Sequence, residues 1–184
     1  MDARGKIIAT FWELIAERPY GEISVLDVVR HAGVNKNTFY YHFANIDEMA
    51  AAAVEETRDT QAFAQLLASI DTLGVDAVGP DDGRLHRSFE RLGLIAGSHS
   101  SPALRQLLKE TIAQGWCEMF GIDLDAASFA DEVSFEFALG GALAIIGMRP
   151  VDDDFTFRKT MSFALRDEVV QRLQEIARRT RSEI

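Results

Sequence analysis

Cysteine occurs once, as Cys117, so no disulfide can close within the chain. Among apolar neighbours Cys117 reads as a small buried hydrophobe rather than a redox or ligand-sensing thiol. Proline is scarce, no segment alternates convincingly in the manner of a strand, and no internal repeat is visible. The longest apolar run, Phe137 to Met148, falls well short of the roughly 20 residues a membrane-spanning helix needs. Ile7 to Ile15 is apolar-rich, but Glu13 and Glu17 interrupt it and no cleavage-like site follows, so no secretory leader is expected and the protein reads as cytoplasmic. No glycine-rich phosphate loop, nucleophile elbow or His-Glu zinc motif is present, and Ser98-His99-Ser100 reads as a turn rather than a triad. Catalysis and a cofactor are therefore not expected. The four histidines and Cys117 show no ligand spacing, and Asp152 to Asp154 lacks the spacing of a calcium loop, so no metal site is expected either.

Positive charge is also in deficit, at a formal net −10. Its distribution matters more than its sum. Up to Asn45, Arg4, Lys6, Arg18, Arg30 and Lys36 balance Asp2, Glu13, Glu17, Glu22 and Asp27, so the acidic excess belongs to the rest of the chain. That acidic part should face away from any polyanion.

Against these absences stands the stretch from Ile23 to Phe43. Ser24 suits an N-cap, and Val25, Val28, Val29 and Ala32 recur at helical spacing up to Gly33. Gly33 suits a helix stop, Val34 an apolar plug between crossing helices, and Asn35 the cap of a second helix. In that helix Phe39 and Phe43 point inward, leaving Lys36, Asn37 and Tyr41 outward with Thr38 and Tyr40 on the flanks and His42 nearby. This face holds no carboxylate. Its groups can donate to phosphate oxygens or reach base edges, as the second helix of a helix-turn-helix does in the major groove. A plain helical hairpin would explain the two Phe as core, but not Tyr40 and Tyr41 on the far side.

From Ser24 to Val29, and again from Ala32 to Phe43, the sequence resembles the DNA-binding signature of the tetracycline-repressor (TetR) family. The resemblance is specific over about Lys6 to Ala53. It implies DNA contacts from Asn35, Lys36, Asn37, Thr38, Tyr40, Tyr41 and His42, to which Ser24 is added. Where the family often has a small residue, Asn37 offers a further base contact, of the kind an amide makes to adenine. Leu26 and Ile46 stand where the family often carries polar or basic residues, which weakens backbone contacts; Arg4, Lys6 and helix N-termini are the expected compensation.

The expected architecture is all-α: a three-helix DNA-binding head over residues 1–46 and a larger helical effector-binding and dimerisation domain over 47–184. Arg4 to Glu17 forms the first helix, and Asp47 caps a fourth that continues to about Leu73. Gly79 to Gly83 breaks the chain. Further helices run over Leu85 to Ala96 and from Pro102 to about Phe120, where Gly121 ends the second. Ala126 to Met148 is apolar on nearly every side and must be covered on every side. With a last helix over about Thr156 to Arg179 it suggests a four-helix bundle between two subunits, through Phe129, Val133, Gly140, Gly141, Met161, Leu165, Val169 and Leu173. The resemblance also implies a small-molecule pocket, assigned to Phe63, Leu67, Phe89, Trp116, Met119, Phe120 and Phe137, with His86 and His99 available to orient a polar group. Its effector would be largely apolar. The expected function is a homodimeric repressor released from a palindromic, double-stranded operator by that effector. The alternative is a TetR-like regulator or co-activator governed by a protein partner.

Overall fold

The computed structural model describes residues 2–57, 84–148 and 169–180, giving the backbone alone for residues 84–86 and 89. Among the described residues lie eight α-helices and no strand. Phe63, Leu67, Met161 and Leu165, the break at 79–83, Asp152 to Asp154, and the side chains of His86 and Phe89 lie outside this description.

The first helix, α1 (Ala3–Glu17), starts where the Asp2 carboxylate accepts from the Gly5 amide at 2.8 Å. Its apolar stripe, Ile7, Ile8, Phe11, Trp12, Leu14 and Ile15, is buried. Pro19 ends it, and a 3-10 turn (Tyr20–Glu22) leads to α2 (Val25–Ala32). Ser24 and Asp27 close a capping box over α2, each side chain bonding the other's backbone N–H. Gly33 ends α2 at φ 64°, a left-handed conformation that costs little only without a Cβ. Asn35 caps α3 (Lys36–His42), accepting from the Thr38 amide at 2.8 Å. Phe39 and Phe43 drop into the core, and Val34 packs against it.

The next helix, α4 (Ile46–Glu55), starts two residues earlier than the sequence suggested. Asn45 is its cap, accepting from the Glu48 amide at 2.8 Å, while Glu48 accepts from the Ala44 amide in return. Asp47 lies inside the first turn, where it accepts the Tyr20 hydroxyl at 2.5 Å. Any continuation toward Leu73 falls outside the described residues.

The body comprises α5 (Arg84–Ala96), α6 (Pro102–Phe120), α7 (Phe129–Ile146) and α8 (Gln171–Thr180). Ser101 caps α6 with Pro102 at its first position, and Gly121 at φ 67° stops it. The expected helix from Ala126 begins at Phe129, because Leu124–Ala126 form a 3-10 turn and Ser128 with Asp131 makes a second capping box. Arg179 of α8 donates to buried Asp131 at 2.6 Å, and Lys109 of α6 pairs with Glu136 of α7 at 2.6 Å. A core of Trp116, Phe135, Leu139, Leu173 and Ile176 joins α6, α7 and α8. Within the subunit nothing lies within 4 Å of a Cβ built at Gly140 or Gly141, the glycines assigned to a second subunit. The close approach is instead between α5 and α7: a Cβ at Gly93 would sit 3.0 Å from the Ile146 carbonyl oxygen, and one at Gly147 3.3 Å from the Ala96 Cβ. Ile95, Leu104 and Leu108 of the body belong to the same buried cluster as the head.

Candidate nucleic-acid interface

The buried anchors Phe39 and Phe43 set the roll of α3, and the residues between them must face out. Tyr41 is 85% exposed and Tyr40 is 55% exposed. Lys36 and Asn37 are exposed beside them, with Thr38 and His42 half-buried. Tyr40 stands edge-on to Phe39 at 5.5 Å, and Tyr41 edge-on to His42 at 5.0 Å, so packing limits where each phenol can swing. The face carries one formal cation and no carboxylate.

The remaining candidates divide by what their polar atoms already do. The Asn35 carboxamide oxygen accepts from both the Thr38 amide and the Thr38 hydroxyl, the latter at 3.0 Å. These two side chains therefore build the start of the helix, leaving the Asn35 NH2 and a Thr38 lone pair for a ligand. Ser24 is engaged more fully. Its hydroxyl donates to the Asp27 carboxylate and accepts from the Asp27 amide, so it is spent on the cap of α2. Hydrogen bonds from the Ser24 hydroxyl and amide, with Arg18 nearby, hold the Asp27 carboxyl below its ordinary range, and that fixed negative charge disfavours a phosphate there. Arg4, expected to compensate for lost backbone contacts, pairs with Glu56 and lies over the Phe43 ring at 5.6 Å. Lys6 remains exposed. Leu26 is exposed on α2, and Ile46 is half-buried as the first residue of α4, packed against the core.

Residues 7–53 match the family model for bacterial regulatory proteins of the tetR family. That stretch, α1 to most of α4, is similar to the DNA-binding domain of the tetR family. A solved TetR-family protein from Vibrio parahaemolyticus is similar over 89% of this chain and 98% of its own, at 20% identity and a TM-score of 0.40. Within the matched stretch, α3 carries the exposed donors Lys36, Asn37, Tyr40 and Tyr41. Among the described residues no helix is long and apolar enough to cross a membrane.

In the body, the described residues assigned to an effector pocket separate. Met119 and Phe120 line an open groove of about 400 Å³ with Gln174, Ala177 and Arg178. Trp116 is buried in the core, edge-on to Phe135 at 6.1 Å. Phe137 is 70% exposed, with the Arg172 guanidinium 5.3 Å from its ring centre, and does not line the groove.

The residues assigned to a subunit interface separate as well. Phe129, Val133 and Phe137 follow one another at four-residue spacing along α7 and are all exposed, as are Gly140 and Gly141. Val169 and Leu173 are buried among Phe135, Leu139 and Ile176, within the subunit's own core.

One arrangement escaped the sequence reading. His99, taken as a turn residue, reaches across 84 positions to the end of α1. No local pattern announces such a pairing.

Proposed function

We propose that this chain is a TetR-family regulator, a cytoplasmic homodimeric repressor that reads a palindromic operator with α3 of each subunit. The observation that carries this is the outward face of α3, exposed, free of carboxylates and set by two buried Phe. One such helix reads half a site, so a two-fold dimer suits a palindrome. The apolar ridge Phe129, Val133 and Phe137 beside Gly140 and Gly141 supports α7 as the partner face, since exposed aromatics in line beside small residues fit a second copy of the same helix. The head over 1–46 and the body over 47–184 divide labour rather than core, with α4 as the link between them. Release of the operator is assigned to a small, largely apolar effector, with Met119 and Phe120 its nearest described contacts. A second reading replaces that effector with a protein partner. The openness of the groove and the exposure of the α7 ridge support it.

The test is fluorescence anisotropy with DNA from upstream of the protein's own gene, over a salt series and with random duplex as competitor, alongside light scattering of the free protein. Specific binding by a dimer, with a salt slope of a few phosphates, is expected. A monomer, or binding indifferent to sequence, overturns the reading. Loss of the DNA signal on screening small apolar compounds favours the effector; loss only with cell protein added favours the partner.

A further inference from the structure

We propose that His99 is the positioning residue that fixes the angle at which the head sits on the body; this rests on the reading of the chain as a dimeric operator binder. The argument begins with Pro19. In α1 the Ile15 carbonyl would accept from the amide four residues on, but that residue is Pro19 and has no N–H. The His99 ring supplies the missing donor, with Nδ1 3.0 Å from the Ile15 oxygen. A carbonyl can only accept, so Nδ1 carries a proton. The chain's next amide, Tyr20 N–H, is turned away from the helix and donates to the His99 carbonyl oxygen at 2.7 Å. His99 thus grips the head on both sides of the Arg18-Pro19 break.

The grip is continued in both directions. Tyr20 passes it on through its hydroxyl to Asp47 in the first turn of α4. On the body side the loop is itself held, because the Arg105 guanidinium donates to the Gly97 carbonyl at 3.3 Å and the Ser100 carbonyl at 3.1 Å. The apolar contacts between head and body, Ile95, Leu104 and Leu108 among them, hold the two together but have no direction. Two hydrogen bonds at one loop residue do have direction. They determine how α1, and with it α3, is presented to DNA, and hence the half-site spacing a dimer accepts.

The test compares His99→Ala, His99→Asn and His99→Gln in the full-length protein. Asn places an amide nitrogen about where Nδ1 lies, while Gln, polar and of similar volume, places it one bond further out. Hydrogen exchange without DNA should show the Tyr20 amide exchanging about tenfold faster in His99→Ala and His99→Gln and near the wild-type rate in His99→Asn. With DNA selected from a random-sequence pool, the wild type should prefer the native half-site spacing over a variant with one inserted base pair. That preference should shrink several-fold in His99→Ala and His99→Gln, with affinity for a single half-site unchanged. Should His99→Ala fail to fold, the Gln and Asn pair carries the comparison. Unchanged Tyr20 exchange in His99→Gln overturns the proposal, as does an unchanged spacing preference. A wild type without spacing preference, but with the stated exchange pattern, refutes the dimeric reading while the joint stands.

Discussion

Lys36 and Tyr41 leave the protein surface without burying anything, so their loss should be felt by DNA and not by the fold. Lys36→Ala should weaken binding across all sequences and lower the salt slope by about 1, read by anisotropy over a salt series. Tyr41→Ala should weaken operator binding about tenfold if its phenol positions a phosphate or base, with the melting temperature unchanged within about 1 °C. A different single side chain adds to the acid sensitivity of the fold. The Ser128 hydroxyl and the Arg179 guanidinium hold the Asp131 carboxyl below its ordinary range. A depressed native pKa stabilises the fold above the unfolded carboxylate value of about 4, and that stability is lost as pH falls through the lower native value. Asp131→Asn should therefore lower the melting temperature at pH 7 and flatten its fall below pH 4, as followed by circular dichroism. Much of this scale was legible in the sequence. The outward set on α3 follows from two Phe four apart. The prior engagement of Ser24 and Arg4 was not legible, because a hydroxyl or guanidinium suited to phosphate is equally suited to Asp27 or Glu56.

Elements start and stop where caps put them, and here local chemistry is a fair guide. Gly33 and Gly121 both end helices in the left-handed conformation that their positions suggested. Gly33→Ala should cost about 1 kcal/mol, since a Cβ strains that backbone though nothing crowds it, and urea unfolding should show it. The start of α4 was misplaced by the same logic that placed the others. Asn45 and Asp47 are both good caps, and only the backbone turn decides between them. Asp47 was thereby released to bind Tyr20, whose phenol is driven well above its usual pKa by burial and by that carboxylate. Tyr20→Phe should leave Asp47 without its buried-side partner and destabilise the head by about 1 kcal/mol, measurable by the same unfolding experiment.

At the scale of the molecule, the apolar length of α7 did foretell a helix that one subunit leaves partly uncovered. Which side stays open could not be read from it, since apolar residues occur all round. Packing of α8 decides it, taking Phe135 and Leu139 inward and leaving Phe129, Val133 and Phe137 outside. Phe137→Glu should accordingly leave the monomer folded but block association, so light scattering gives a monomer and operator affinity falls by at least tenfold. Leu173→Glu should unfold the body instead, because that side chain is fully buried. The contact of head with body was beyond any sequence pattern, being made by residues far apart in the chain.

The glycine contacts between α5 and α7 have a wider consequence. Backbone lies against side chain and backbone there, so α5 cannot slide on α7 without collision. One of these helices leads into the turn that holds His99, and the other carries the exposed ridge proposed as the face for a second subunit. Whatever fixes the head thus bears on how subunits meet, and such linkage is reciprocal: the factor by which pairing tightens DNA binding is the factor by which DNA tightens pairing. On the proposed dimeric reading, the operator would therefore hold a pair of subunits together more tightly than solution does.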